Sequence, residues 1–108
     1  MRSARFQTLV SQQPGNELFR FSLAQALTEE GRPADAIPHL ELCAAKRADW
    51  MVARILLGKA LLGVGRRDEA RRRLEEALHL AVEQHHEEPE AELRGLLQDL
   101  AGGPDPRA

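Results

Sequence analysis

The side chains best suited to chemistry lie towards the C-terminal end of the chain. On a helix, His79, Glu83 and His86 would share one face, because they follow one another at steps of four and three. Imidazole and carboxylate groups can bind zinc, but such a site needs three or four convergent ligands with supporting hydrogen bonds. The end of a single helix does not supply them. We therefore predict a solvated helix terminus with no metal.

The other reactive groups are a lone thiol and a basic cluster. Cys43 falls at a small, apolar position of a helical pattern, where a thiol packs and is chemically inert. The arginines between residues 66 and 73 could contact nucleic acid. However, Arg71 and Arg72 stand four residues before Glu75 and Glu76, and no aromatic residue is interleaved. We expect ion pairs on a solvated face and no nucleic-acid partner.

The patterns of known catalytic centres are missing from the sequence. It has no Ser/His/Asp or Cys/His set and no CxxC pair, and Gly63-Val64-Gly65 follows a helical segment rather than a strand. We predict no enzymatic activity and no cofactor. Trp50 would be a binding anchor if it were exposed, but we expect it to pack between two structural units.

Composition favours a helical, cytoplasmic protein. The 108 residues are 43% apolar and 30% charged, with a net charge of −2, and helix-forming Leu, Ala, Glu and Arg dominate. A single cysteine suits a reducing compartment. The first residues lack the apolar core of a signal peptide, and no stretch approaches the roughly 20 apolar residues of a membrane span. We expect no association with membranes.

One unit is written twice in the sequence, at an offset of 34 residues. The matched pairs are Leu23 with Leu57, Ala26 with Ala60, Leu27 with Leu61, Gly31 with Gly65, Arg32 with Arg66, Ala36 with Ala70, and Leu40 with Leu74. Each unit reads as two helices, because its apolar residues recur at steps of three and four on both sides of a glycine. Asn16 and Asp49 are candidate N-caps, and Gly31 and Gly65 are candidate left-handed helix ends.

The same frame divides the chain. We predict one domain over residues 1–101, with a half repeat at 2–14, repeats at 17–50 and 51–84, and a capping helix at 89–100. Pro89 would open the last helix, and Gly102 and Gly103 would close it. Residues 102–108 would form a flexible tail. Pro38 lies inside a predicted helix, where we expect a loosened first turn.

These residues resemble the tetratricopeptide repeat, a helix–turn–helix unit of 34 residues. Leu23-Ala24 and Leu57-Gly58 match its Leu-small pair, and Ala36, Leu40 and Cys43 match its second helix. Arg20 and Arg54 stand where the family usually has Trp. The resemblance implies an all-α, right-handed superhelix of stacked antiparallel helix pairs, with about five to six helices.

The resemblance also implies a function in protein interaction. The first helices of such repeats line a concave face, which here would present mainly apolar groove positions. They are Leu18, Phe21, Gln25, Thr28, Val52, Ile55, Lys59 and Leu62. We expect a small scaffold or adaptor that binds a peptide or helix there, and serine at Phe21 and Ile55 should leave folding nearly intact. The alternative is a self-associating homodimer whose own C-terminal helix fills the groove.

Overall fold

The fold consists of six α-helices joined by short loops, and no strand occurs in residues 1–102, which the computed structural model describes. The helices are α1 (Arg2–Gln12), α2 (Glu17–Glu29), α3 (Pro33–Lys46), α4 (Met51–Gly63), α5 (Arg67–Glu83) and α6 (Glu87–Gly102). None of the six is long and apolar enough to cross a membrane.

Each helix packs mainly against the next helix in the chain, from α1 on α2 through to α5 on α6. Short loops make consecutive helices antiparallel, and contacts restricted to sequence neighbours are typical of a solenoid. The structure is thus the expected right-handed superhelix of stacked helix pairs, α2–α3 and α4–α5, with α1 and α6 at the two ends.

The ends of the helices follow the local chemistry of the sequence at several points. The Asn16 side chain accepts hydrogen bonds from the backbone N–H groups of Leu18 and Phe19, at 3.0 and 3.2 Å, which confirms it as an N-cap. Gly31 and Gly65 adopt φ angles of 75° and 81°, which confirms both as left-handed helix ends.

Some predicted boundaries were wrong. Asp49 does not cap α4, because Trp50 occupies the N-cap position and no side chain accepts a hydrogen bond there. Helix α6 begins at Glu87 rather than Pro89, since a proline in the first turn has no amide that the helix needs. Gly102 belongs to α6 instead of the predicted tail, and residues 103–108 lie outside the described residues. Pro38 lies inside α3, which continues to Lys46.

The core forms two clusters along the stack. Leu23, Leu40 and Leu57 belong to the first cluster, which joins α1 to α5, and each is at most 1% exposed. Leu74 and Leu93 belong to the second cluster, which joins α4, α5 and α6, and both are fully buried. The leucines shared by the two repeats therefore form the interior that holds the pairs together.

Candidate binding groove

A groove with a volume of about 330 Å³ lies between α2, α4 and α6. Five of its ten lining residues are apolar, and α4 contributes most of them. The residues are Gln25, Thr28 and Glu29 from α2, Met51, Val52, Ile55, Leu56 and Lys59 from α4, and Pro89 and Glu92 from α6. We call this surface the α2–α4–α6 groove.

The groove brings together five of the eight residues predicted to bind a partner. They are Gln25, Thr28, Val52, Ile55 and Lys59. The other three lie outside its lining. Leu18 is 54% exposed near the start of α2, while Phe21 and Leu62 are half-buried and pack against the core.

Ile55 differs from the expectation most clearly. Only 8% of it is exposed, and it belongs to the core cluster that contains Leu74 and Leu93. A serine at Ile55 would remove most of an aliphatic side chain from this cluster, so the expectation that the fold would tolerate it was wrong. Val52, on the same helix, is 57% exposed and is the most accessible large apolar residue of the groove.

Helix α6 forms one wall of the groove and does not fill it. Leu93 and Leu100 anchor α6 in the second core cluster, while Pro89 and Glu92 face the groove. The Lys59 ammonium lies 2.6 Å from the Glu92 carboxylate and connects α4 to α6 across the groove edge. The predicted leucine stripe is therefore buried beside the groove, which stays open.

Sequence reasoning missed the contribution of α6 because this helix departs from the period. Leu93 follows Leu57 by 36 positions, so an offset of 34 places Ala91 where the frame requires a buried leucine. The leucine spacing of α6 was the available signal. Shifting the frame by two residues at the α5–α6 loop would have placed Pro89 and Glu92 beside the predicted positions of α4.

Trp50 packs where the two repeats meet, as predicted. Its ring lies 4.8 Å from that of Phe21, centroid to centroid, at an interplanar angle of 34°. The Arg47 guanidinium lies 5.4 Å from the Trp50 ring centroid on another side. These contacts leave Trp50 half-buried and tie the start of α4 to α2.

The two arginines at the family's Trp position make the same contact in both repeats. Arg20 donates a hydrogen bond to the Pro14 carbonyl at 2.7 Å, and Arg54 donates one to the Ala48 carbonyl at 2.5 Å. Each arginine thus reaches back six residues to the turn that precedes its own helix. A guanidinium can replace the indole there because it binds an otherwise open carbonyl.

The reactive groups of the sequence are all structural. Cys43 is buried, its sulfur lies 3.6 Å from the Glu17 carbonyl, and burial raises the pKa of its thiol. His39 and Lys46 lie on the same helix, but they contact Arg20 and Gly15 respectively. The cysteine therefore has no neighbouring base that would make it a nucleophile.

The histidines and arginines towards the C-terminus also form surface contacts. His79 lies 2.7 Å from Glu83, and no group of three metal-ligating side chains occurs within residues 1–102. Arg71 pairs with Asp68 and Arg73 pairs with Glu76. The expected pairs of Arg71 with Glu75 and of Arg72 with Glu76 are not formed among the described residues.

The outward faces of the two terminal helices are polar. On α1, Arg5, Thr8 and Gln12 are exposed, and on α6, Arg94 and Gln98 are exposed. Polar outer faces are typical of helices that end a repeat stack.

Comparison with known proteins supports this architecture. The tetratricopeptide repeat family matches residues 27–100. The solution structure of protein BPP2914 from Bordetella parapertussis is 31% identical over 94% of this chain and 88% of that one, with a TM-score of 0.80. A tetratricopeptide repeat domain protein from Salinibacter ruber is 21% identical over 85% and 93%, with a TM-score of 0.74.

A third solved structure is the first TPR of Spaghetti (RPAP3) bound to the HSP90 peptide SRMEEVD. It is 24% identical over 93% of this chain and 78% of that one, with a TM-score of 0.75. No curated protein matches the chain. The match over residues 27–100 covers more than half of the sequence, and the 34-residue frame, the left-handed glycines and the sequential packing agree with it. The chain belongs to the tetratricopeptide repeat family.

Proposed function

We propose that this protein is a non-enzymatic interaction module that binds a peptide or a helix of another protein in the α2–α4–α6 groove. The observation that carries the proposal is the open, largely apolar surface around Val52, which remains accessible after α6 has packed beside it. Tetratricopeptide repeats generally mediate protein–protein interactions, and a related fold holds a peptide in one solved structure.

The dimensions of the groove suit side chains rather than a whole helix. A volume of about 330 Å³ is at the small end of the range of ligand sites, so it would hold one or two apolar side chains of a partner. Met51, Ile55 and Leu56 form its floor around helix α4, and Val52 stands exposed beside them. Burial of apolar groups against this floor would supply most of the binding free energy.

In this proposal the chain consists of a half repeat, two full repeats and a capping helix, and α6 belongs to the binding site. The buried free thiol of Cys43 supports a reducing, cytoplasmic location. Self-association remains the alternative that the test must separate. The polar outer faces of α1 and α6 give no support to end-to-end stacking of copies.

Two matched variants test the proposal. Val52→Glu places a charge in the groove, whereas Val82→Glu places the same charge on α5, at a residue that is 42% exposed and does not line the groove. Peptides would be selected on the wild-type protein from a random display library, and their affinities measured by fluorescence anisotropy. Circular dichroism would establish that both variants fold.

The proposal predicts that Val52→Glu weakens the selected peptides by about tenfold or more, because the bound apolar side chain would face a carboxylate. Val82→Glu should leave their affinities unchanged. Equal losses in both variants would contradict groove binding. Failure to select any peptide, together with a concentration-dependent dimer in light scattering, would favour self-association.

A further inference from the structure

We infer that the partner's apolar segment carries lysine or arginine beside it, and that the α2–α4–α6 groove discriminates against acidic segments. The inference rests on the proposed function and specifies the chemistry of its partner. It is drawn from the distribution of charge around the groove.

The wall formed by α6 is acidic. The first half of this helix carries four carboxylates, at Glu87, Glu88, Glu90 and Glu92, and Arg94 is its single basic residue. Arg94 pairs with Glu90 at 3.1 Å. Glu87 and Glu88 directly precede the groove-lining Pro89, are exposed, and form no ion pair with any of residues 1–102.

The single basic residue of the groove lining is already paired. The Lys59 ammonium lies 2.6 Å from Glu92, and Glu92 is held in place because the next residue, Leu93, is fully buried. An acidic partner would have to displace an intramolecular carboxylate from Lys59. A basic partner would instead add a second cation to Glu92, whose carboxylate can accept more than one hydrogen bond.

The opposite wall adds a further carboxylate. Glu29 lines the groove from α2 and pairs with Arg2, but more than half of each side chain is exposed, so solvent screens this pair. The groove is thus an apolar floor between two acidic edges. Complementary charge on the partner would favour the encounter and fix its orientation, while like charge would be repelled.

Two designed peptides test the inference. Both contain the same eight-residue leucine–alanine segment with capped termini, and they differ in having two lysines or two glutamates at each end. Binding to the full chain would be measured by titration at low salt, and the site located from amide chemical shifts in NMR spectra. Glu92→Gln is the test variant. Glu75→Gln, on α5, removes the same charge outside the groove and is its control.

We expect the lysine peptide to bind about tenfold more tightly than the glutamate peptide, with the ratio falling as salt is raised. Glu92→Gln should reduce the ratio to about threefold or less, since it removes an edge carboxylate and frees Lys59. Glu75→Gln should leave the ratio unchanged.

Equal binding of the two peptides, or tighter binding of the glutamate peptide, with shifts at Val52 and Lys59 would overturn the charge preference and leave groove binding intact. A lysine peptide whose shifts fall outside the groove would also overturn it. If neither peptide shifts the groove residues, the inference and the proposed function both fail.

Discussion

The two repeats share one interior but differ at their edges. In the pair α2–α3, Glu17 at the start of α2 pairs with Lys46 and Arg47 at the end of α3. The equivalent position in α4–α5 is Met51, which lies in an apolar cluster with Ala81 and Leu93. A helix covers the second edge, whereas solvent reaches the first.

This comparison teaches which positions the period constrains. The leucines that fill each helix pair must recur, because each is buried between neighbours whatever lies outside the pair. Edge positions depend on what packs next to them. They carry ion pairs where water is present and apolar groups where α6 is present, and the groove arises at the second kind of edge.

The largest effects should come from the interior leucines, where the comparison predicts equality. Leu40 and Leu74 are equivalent and both fully buried. Leu40→Ala and Leu74→Ala should each lower the free energy of unfolding by about 3 kcal/mol, through lost burial and a residual cavity. Urea denaturation followed by circular dichroism measures this. Leu42→Ala, at a position 53% exposed, should change it by less than about 0.5 kcal/mol. A large difference between Leu40→Ala and Leu74→Ala would break the shared frame.

A smaller effect should separate the repeats at their closest helix approach. Ala24 in the first repeat corresponds to Gly58 in the second, and a Cβ atom at Gly58 would lie 2.4 Å from Leu74 Cδ2. Gly58→Ala gains up to about 1 kcal/mol of helix propensity but forces a buried side chain to move, which costs about 1–3 kcal/mol. We expect a net loss of about 1 kcal/mol.

A double-mutant cycle measures the origin of that loss. Leu74→Val makes room for the new methyl group, so it should destabilise the Gly58→Ala protein less than the wild type. If the two changes are additive, Leu74 does not limit the approach of α4 and α5, and the glycine has another explanation.

The loops after α2, α4 and α5 sharpen the comparison further. All three helices end with the same pair of backbone hydrogen bonds, but the left-handed residue is Gly31, Gly65 or His85, whose φ is 57°. His85→Gly should raise the free energy of unfolding by about 0.5 kcal/mol, because it relieves the steric strain of a side chain at positive φ. His86→Gly should give no gain. An unchanged or lower stability for His85→Gly would contradict the account.

The smallest expected effect is a pH dependence of the solvated edge. Hydrogen bonding to its own backbone N–H lowers the pKa of Glu17 from 4.5, and Lys46 and Arg47 lower it further. The stabilisation is therefore complete above pH 4.5 and is lost as the pH falls through the lowered value. Thermal unfolding should show Glu17→Gln below wild type at pH 7, and the two should converge in strong acid. A difference that persists at low pH would show that the charge is irrelevant.

The interior of the fold was predictable from the sequence because burial leaves a periodic record. The offset of 34 residues identified the helix pairs, the left-handed turns at Gly31 and Gly65, and the buried leucines. Asn16 was recognised as a cap because its side chain acts on adjacent backbone. Asp49 has the same chemistry but lies one residue too early, which residue type alone does not reveal.

The groove was less predictable because it depends on a helix outside the period. The exposure of Val52 and the burial of Ile55 follow from where α6 packs, and the sequence frame misplaced α6 by two residues. Pro89 and Glu92 could not be assigned to the groove without that placement. Local patterns thus predicted the elements, while the shape between elements required tertiary structure.

The most direct test of the central claim is an amide chemical-shift map of the protein bound to a display-selected peptide. The account predicts that the largest shifts cluster at Gln25, Val52, Lys59 and Glu92 and disappear in Val52→Glu. Shifts that cluster instead on the outer face of α3 or α5, with the groove amides unmoved, would contradict it.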